Sequence, residues 1–372
     1  MSSPVPHCFS DCQQAIFAAI DAGDGFLPFD DFLTLALHDP HYGYYGSGRV
    51  HFGNGGDFHT AATLSPLFAA VLAQQITPYL TNAGDVLELG AGDGTLAEQL
   101  LTHLPTDLPY RYLILETSAA LAARQQQRLA AFPQVQWLTA LPAEHRGFIL
   151  ANEVLDCVPF RLLQRVGDRW HERGVCRQEP PLAPWLQFAT RPLGASDTVA
   201  DQLPTTVAAG YQTEVSPQAA ALVRTLADCL KEGCLFFADY GFGRNEYYHP
   251  QRNRGTLLCY QQQTVDSNPL AALGEKDITA HVDFTAIAEA GLAGGARFAG
   301  YVTQAQGLIN GGITDVLAKD VENTALYARA TAGAHKLLAP HEMGESIKWI
   351  GFYQGAVAPA TVFKNNDISH RL

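Results

Sequence analysis

Apolar runs of strand length alternate with helical apolar spacing through the middle of the chain. The pattern predicts strands over 85–89, 111–116, 135–138, 147–151 and 234–241, and helices over 95–104, 118–131 and 216–231. Strands that alternate with helices predict a parallel sheet with helices on both faces, a Rossmann-like α/β fold. Two later apolar runs, 297–302 and 346–353, predict a hairpin that closes the edge of this sheet.

The segments around this core follow other patterns. Helical spacing recurs in 11–22, 30–38 and 65–80, and the Gly- and aromatic-rich stretch 38–60 predicts a structured loop. The alternation breaks over 157–215, which we interpret as inserted hairpins, and over the loop-rich stretch 241–281. We therefore predict an N-terminal segment, 1–84, and a core, 85–372, with two insertions. The N-terminal segment and the insertions would form a smaller substrate domain.

A glycine-rich turn follows the first strand of the core. Gly90, Gly92 and Gly94 let the backbone approach a ligand, and the next helix offers free N–H groups at its start. A dinucleotide fingerprint would have a third glycine where Thr95 stands, so the turn favours S-adenosylmethionine (SAM) over NAD. Asp93 either reaches the amino group of the methionine or favours the helix N-terminus by its charge.

Acidic side chains follow two further strands of the predicted sheet. Glu116 ends the second strand, about twenty residues beyond the glycine turn, where a carboxylate accepts hydrogen bonds from ribose hydroxyls. Asn152, Glu153 and Asp156 follow the fourth strand, where we expect the reacting centre, with Asn152 on the cofactor. Two carboxylates spaced in this way can hold the fork of a guanidinium, or they can mark the start of a helix.

Composition narrows the classes of partner. The 372 residues carry a formal net charge of −13 without a basic stripe, so nucleic acid is not an expected substrate. The negative charge suits a cationic acceptor, or it serves solubility alone. Seven cysteines without a C-x-x-C pair predict reduced thiols and no metal site. With neither a secretory pattern in the first 25 residues nor a membrane span, we expect a cytoplasmic protein.

Several short motifs occur together in a distinctive order between residues 29 and 284. They are Asp39-Pro40, Gly43-Tyr44-Tyr45, Gly56-Asp57-Phe58, the glycine turn, Asn152-Glu153, Asp239-Tyr240-Gly241, Gly255-Thr256-Leu257 and the run from Asp277 to Phe284. In these motifs the chain resembles the MidA-like SAM-dependent methyltransferases, which include the mitochondrial complex I assembly arginine methyltransferase and its bacterial relatives.

The resemblance implies a class I methyltransferase core, SAM as cofactor and a protein arginine as acceptor, with a respiratory complex I subunit as the type of target. It also implies that Gly56, Asp57 and Phe58 belong to the active site, with Asp57 beside the acceptor. Our own candidates to orient the guanidinium and spread its charge are Glu153, Asp156 and Asp57. We add Tyr240 and His281 as acceptor-side residues; His281 is either a base or a structural histidine.

The chain departs from the family pattern at two places. Ala62-Thr63 stands where the family usually has Pro-Glu, and the stretch 260–266 lacks the usual histidines. Two alternatives therefore stay open: O- or N-methylation of a small molecule, and a SAM-binding assembly factor without catalysis. The N-terminal helices and the stretch 303–338 either pair with a second copy in a homodimer or pack on the core.

Overall fold

The computed structural model describes residues 10–53, 56–57, 59–81, 83–178, 185–194, 196–319 and 324–372. The strands are β1 (Leu27–Pro28), β2 (Asp85–Leu89), β3 (Tyr112–Leu115), β4 (Val135–Leu138), β5 (His145–Asn152), β6 (Arg161–Val166), β7 (Arg169–Arg177), β8 (Leu186–Pro192), β9 (Gln212–Val215), β10 (Leu230–Phe242), β11 (Leu258–Gln261), β12 (Thr264–Asp266), β13 (Asp277–Thr279), β14 (Val282–Asp283), β15 (Arg297–Thr303) and β16 (Ile347–Gln354).

The α-helices occupy both the N-terminal segment and the core. They are α1 (Asp11–Ala22), α2 (Phe29–Leu33), α3 (Ala61–Leu64), α4 (Leu67–Leu80), α5 (Thr95–His103), α6 (Ala119–Arg128), α7 (Pro217–Cys229), α8 (Arg244–Tyr247), α9 (Phe284–Ala293), α10 (Gln304–Asn310), α11 (Ile313–Ala318) and α12 (Thr324–Leu338). Among the residues described, no helix is long and apolar enough to cross a membrane.

The core is one sheet in the order β15-β16-β10-β5-β2-β3-β4, with β14 paired to β10. The strands from β10 to β4 run parallel, and β16 runs antiparallel to both of its neighbours. Helices α4, α5 and α10 to α12 cover one face, while α7 and α9 cover the other. The predicted α/β fold is therefore confirmed, and the carboxyl ends of β2, β3, β5 and β10 meet at one edge.

The remaining strands form two smaller antiparallel sheets. One has the order β1-β7-β6-β9 with β8 beside β7, and the other has the order β12-β11-β13. Apolar side chains of α1 and α2 share a hydrophobic core with side chains from both insertions, such as Leu162, Val175 and Ile278. The first part of the N-terminal segment, with α1 and α2, thus shares a hydrophobic core with both insertions, whereas α4 of the same segment packs on the main sheet.

The structure differs from the predicted elements in three places. The helix expected over 65–80 is found as α4 but begins at Leu67, because Pro66 disfavours helical geometry at Ser65, and the separate short helix α3 precedes it. The helix expected over 30–38 continues from α2 as a π-helix, Thr34–His38. The predicted closing pair, β15 and β16, does pair, but β16 inserts between β15 and β10 after α10 to α12.

The close approach of β10 to β5 depends on a glycine. Gly233 has a φ of +137°, and an added Cβ would collide with the carbonyl oxygen of Gly147 on β5. We expect Gly233→Ala to lower the free energy of unfolding by roughly 3 kcal/mol or more. Gly194→Ala is the matched control, since its added Cβ meets nothing within 4 Å. Thermal denaturation gives the comparison, and equal melting temperatures would contradict it.

Candidate active site

The glycine turn predicted from the sequence lies at the carboxyl end of β2. Gly90, Gly92 and Gly94 have φ values of 60°, 57° and 83°, which other residues adopt only at a cost. Side chains lie close above the turn: an added Cβ at Gly90 would lie 3.1 Å from Val154, and one at Gly92 would lie 3.2 Å from the ring of Phe52. A side chain at either position would therefore crowd Val154 or Phe52, both of which line the cavity beside the turn.

That cavity has a volume of about 480 Å³. Its floor is formed by the ends of β2, β3 and β5, including Gly90, Gly92, Asp93, Glu116, Asn152 and Glu153. The N-terminal segment roofs it with Thr34, His38, Tyr45 and Phe52, of which the first two belong to the π-helix. A cavity of this size suits a nucleoside cofactor.

Glu116 stands where a ribose would be held. Its Oε1 accepts a hydrogen bond from the backbone N–H of Ser118 (2.9 Å), and its Oε2 accepts one from the side-chain amide of Gln125 (2.9 Å). Burial raises the pKa of Glu116, and these two hydrogen bonds oppose that shift. An ionised carboxylate has about four acceptor positions, so lone pairs remain for ribose hydroxyls.

Gln125 is a buried part of the site that sequence reasoning missed. Its amide nitrogen bonds to the carbonyl oxygen of Gly92 (2.8 Å) as well as to Glu116, and its oxygen accepts a bond from the Trp137 indole (3.0 Å). One amide therefore fixes Glu116 relative to the glycine turn. Within a run of three glutamines, only its position on the buried face of α6 could have marked it.

Two more acids border the cavity at the end of β2. Asp93 accepts a bond from the N–H of Thr95 (3.0 Å) and pairs with Arg128 (3.0 Å), which is the arrangement expected for its helix-start alternative. Glu88 is buried within β2 and accepts a bond from the Tyr112 hydroxyl (2.7 Å). Burial raises the pKa of Glu88 to about 7. The sequence did not single out Glu88, because it lies within an apolar run.

The turn after β5 holds the next predicted residues. Glu153 has a φ of +53°, and its N–H donates to the carbonyl oxygen of Ala238 on β10 (2.8 Å). Its carboxylate accepts bonds from the side chain of Asn152 (3.1 Å) and from the N–H of Ala61 (3.3 Å). A non-glycine residue in this region is strained and persists only where its surroundings hold it.

Asp239 at the end of β10 holds the backbone that follows Glu153. It is 1% exposed, and its Oδ2 accepts bonds from the N–H groups of Val154 (3.1 Å), Leu155 (2.8 Å) and Asp156 (3.4 Å). Its Oδ1 accepts a bond from the N–H of Tyr240 (2.8 Å). The carboxylate thus fixes the short 3₁₀ turn Leu155–Cys157, which carries Asp156.

Four carboxyl groups gather at this edge, and we call Glu153, Asp156, Asp239 and Asp277 the acidic cluster. Burial raises the pKa of Glu153 to about 8 and the pKa of both Asp239 and Asp277 to about 7. The pKa of Asp156 lies well above its usual range, through burial and then through the charges of Asp239 and Asp277. In the part of the chain that the structure describes, none of the four forms an ion pair with a basic side chain.

The acidic cluster adjoins the cavity through two residues. Glu153 lines the cavity directly. Tyr45 lines it as well, and its hydroxyl hydrogen-bonds to Asp277, which partly opposes the effect of burial on the pKa of that acid. The structure therefore brings Glu153 and Asp156 together, as predicted, and adds Asp239 and Asp277 to them.

Tyr240 and His281 form a separate aromatic layer. Their rings stack with centroids 6.4 Å apart, and the His281 ring lies 5.1 Å from that of Phe242. Burial raises the pKa of Tyr240 well above its usual range, and the charges of Glu153 and Asp156 add to this. Burial lowers the pKa of His281 to about 4, helped by Arg252 and Lys348. His281 is thus a neutral imidazole that contacts Tyr240.

Asp57 lies away from the cavity lining. Its carboxylate is 7% exposed and accepts bonds from the Tyr44 hydroxyl (2.7 Å) and the N–H groups of Gln262 (2.8 Å) and His51 (3.4 Å). Gly56 precedes it in a tight turn, where an added Cβ would collide with the carbonyl oxygen of His51. Phe58 lies outside the described residues. The structure therefore joins Asp57 to the second insertion.

The departure at Ala62-Thr63 falls on the start of a helix. The hydroxyl of Thr63 accepts a bond from the N–H of Thr60 (2.9 Å), and the hydroxyl of Thr60 accepts one from the N–H of Thr63 (3.3 Å). This is a capping box, in which a glutamate commonly takes the place that Thr63 has here. Thr63 thus fulfils the capping function of such a glutamate at α3.

The fold and the site together define a class of protein. A parallel sheet with one antiparallel strand inserted near its edge, a glycine turn after β2 and an acid at the end of β3 are the features of a class I methyltransferase. A family model for S-adenosyl-L-methionine-dependent methyltransferases matches residues 64–302, and the chain belongs to this family. The predicted family is thus confirmed, and with it SAM as the cofactor.

Individual relatives agree with this assignment. The chain is 27% identical to the mitochondrial protein arginine methyltransferase NDUFAF7 of Xenopus tropicalis, over 87% of this chain and 82% of that protein. It is 26% identical to the Drosophila melanogaster homologue, over 90% and 83%. A Burkholderia thailandensis protein whose crystal structure contains bound S-adenosyl-homocysteine is 39% identical in sequence; the match covers both chains completely, with a TM-score of 0.90.

The role of Gln125 can be tested through cofactor affinity. We expect Gln125→Met to weaken SAM binding about 10-fold, because Glu116 and the carbonyl of Gly92 lose a shared donor. Gln126→Met is the matched control, since Gln126 is exposed on the same helix. Calorimetric titration with SAM measures both variants, and equal affinity of Gln125→Met and the unsubstituted protein would contradict the role.

Proposed function

We propose that this protein transfers a methyl group from SAM to an arginine side chain of a protein. The observation that carries the proposal is the acidic cluster beside the cofactor cavity, which has no basic partner in the described part of the chain. Buried carboxyl groups without a counter-ion favour a cationic ligand, and arginine is the side chain that stays charged at all ordinary pH values. The names of the relatives support the same acceptor.

The cofactor would be held by residues at the ends of three strands. The glycine turn at Gly90 and Gly92 would lie against it, Glu116 would accept bonds from the ribose hydroxyls, and Asn152 would border its reactive end. When bound, SAM supplies a methyl group on a positively charged sulfur. The residues that line the cavity fit such a group in size and in hydrogen-bonding capacity.

Glu153 and Asp156 would orient the guanidinium. A planar fork of donors matches carboxylate oxygens, so the two acids can hold the nitrogens that do not react and leave one nitrogen facing the cavity. They would also keep positive charge on the held nitrogens while the facing nitrogen develops its new bond. Positioning and charge stabilisation of this kind lower the barrier when they act more strongly in the transition state.

The acidic cluster would also accept the proton that the reacting nitrogen loses. With pKa values raised to about 7 and 8, carboxyl groups of the cluster are partly protonated near neutral pH. An entering guanidinium favours their ionised forms and displaces those protons. Glu153, which lines the cavity, is then free to accept the proton that leaves the methylated nitrogen.

Two finer proposals complete this function. By the resemblance, the protein acceptor would be a subunit of respiratory complex I, and by the cysteine usage the reaction would take place in the cytoplasm. The free thiols of the six described cysteines are compatible with that compartment.

Labelled methyl transfer tests the activity. Incubation with methyl-labelled SAM and a lysate of cells that lack the gene should label a protein, and acid hydrolysis should release methylarginine. We expect Glu153→Gln to lower the rate about 100-fold, because the guanidinium loses a charged partner. Glu232→Gln is the matched control, since Glu232 lies at the opposite end of β10 and pairs with Arg146.

The outcomes of this test separate the three candidate functions. Label in small molecules alone would contradict a protein acceptor and favour the metabolite alternative. An absence of label despite measurable SAM binding would favour the non-catalytic alternative. Label on a residue other than arginine would contradict the role given to the acidic cluster.

The pH dependence provides a second test. Guanidinium binding requires ionised carboxylates, and the raised pKa values mean that these ionise only as pH rises through about 7 to 8. We therefore expect kcat/KM for the lysate acceptor to rise between pH 6 and 8 and then level off, with SAM saturating at each pH. Glu153→Gln should move the midpoint lower. A profile that falls over this range would contradict the mechanism.

A further inference from the structure

The turn between β11 and β12 has an unusual composition for its geometry. Gln262 and Gln263 form a two-residue hairpin loop, with φ values of 49° and 60°. Loops of this type need positive φ at both positions, and Asn-Gly or similar pairs are preferred because larger side chains are strained there. Two glutamines therefore need support from outside the hairpin.

Asp57 supplies that support from the N-terminal segment. Its Oδ1 accepts a bond from the N–H of Gln262 (2.8 Å), and its backbone carbonyl accepts one from the N–H of Gln263 (3.1 Å). The other carboxylate oxygen is held by the hydroxyl of Tyr44 (2.7 Å). β12 is the edge strand of its sheet and its residues are exposed, so the turn depends strongly on these bonds.

The hairpin places one aromatic side chain at the acidic cluster. Tyr260 on β11 lies directly opposite Asp277 on β13 in the register of the small sheet. As directly opposed residues of antiparallel strands, Tyr260 and Asp277 present their side chains on the same face of the small sheet. The charges of Asp156 and Asp277 add to burial in raising the pKa of Tyr260. The turn at Gln262 and Gln263 directly follows β11. Its geometry therefore helps to set the register of β11 and with it the position of Tyr260.

We propose that Asp57 is a positioning residue which, by holding the strained Gln262-Gln263 turn, fixes Tyr260 against the acidic cluster as a contact for the acceptor guanidinium. The inference rests on the proposed function and deepens it, because it adds an aromatic surface to the acceptor site. A tyrosine ring binds a guanidinium through its face, and a carboxylate beside it strengthens the same site.

The test first removes the Asp57 carboxylate and then changes the turn to a sequence that adopts the same geometry without it. Asp57→Ala should raise the apparent KM for the lysate acceptor at least 10-fold and leave the Kd for SAM unchanged. Adding Gln262→Asn and Gln263→Gly to Asp57→Ala should return KM to within about 3-fold of its original value, because Asn-Gly adopts this turn unaided. Asp57→Asn keeps an oxygen for Gln262 and should recover most of the loss.

Substitution of Tyr260 provides a second test of the proposal. Tyr260→Leu should raise the acceptor KM to a similar extent, and combining it with Asp57→Ala should add little, because both substitutions remove the same contact. Asp168→Ala is the matched control: Asp168 is an exposed aspartate in the turn between β6 and β7, away from the acidic cluster. Its KM should equal that of the unsubstituted protein.

Two results would overturn the proposal. If the Asn-Gly turn fails to rescue Asp57→Ala, Asp57 acts on the acceptor itself; if Asp57→Ala leaves KM unchanged, the turn is not needed. Hydrogen exchange of the 260–264 amides provides a readout without any acceptor. Exchange should quicken in Asp57→Ala and slow again with Asn-Gly. Should the unsubstituted protein form no methylarginine, the proposed function fails, and exchange still decides whether Asp57 holds the turn.

Discussion

The carboxylate of Asp239 accepts bonds from four backbone N–H groups, and the geometry of the acidic cluster depends on them. Because β5 and β10 are parallel neighbours, the chain leaving β5 passes beside the end of β10, where Asp239 is buried. Binding the amides of residues 154 to 156 closes the turn. Glu153 is then held in its left-handed conformation and Asp156 is brought beside it.

Burial of these carboxyl groups raises the electrostatic free energy of their ionised forms in the folded protein. Each carboxyl group of the cluster is moved out of water without a basic partner in the described residues, and its pKa rises accordingly. Between its unfolded pKa near 4 and its raised folded pKa, such a group is ionised in the unfolded state but still protonated in the folded state. The folded state therefore loses stability as the pH rises through this range. A cationic ligand relieves that cost, so burial of the acids favours both binding and selectivity for positive charge.

The fold and the cofactor side of the site could be predicted, because they follow from residue patterns within short stretches of the sequence. The core strands and helices follow from apolar periodicity, and Gly90, Gly92 and Glu116 follow from the position of a turn and of a strand end. Gln125, Glu88 and Asp277 could not be predicted, because their importance comes from neighbours distant in sequence. The bond between Asp57 and Gln262 joins residues 205 positions apart, and no spacing rule links them.

The two departures from the family pattern lie at the start of α3 and in the hairpin of β11 and β12. Neither of them replaces a residue of the acidic cluster. At α3, the hydroxyl of Thr63 accepts a bond from the N–H of Thr60 and completes a capping box, a position that suits a glutamate as well. At the hairpin, glutamines occupy a turn whose strain is offset by the carboxylate and carbonyl of Asp57. In both places a hydrogen bond to the backbone holds the departing residues: a threonine hydroxyl does so at α3, and the Asp57 carboxylate does so at the hairpin. Glu153 and Asp156 are both present, and Glu153 accepts a bond from the N–H of Ala61 beside the first departure, so the departures are compatible with an acceptor site that favours a cation.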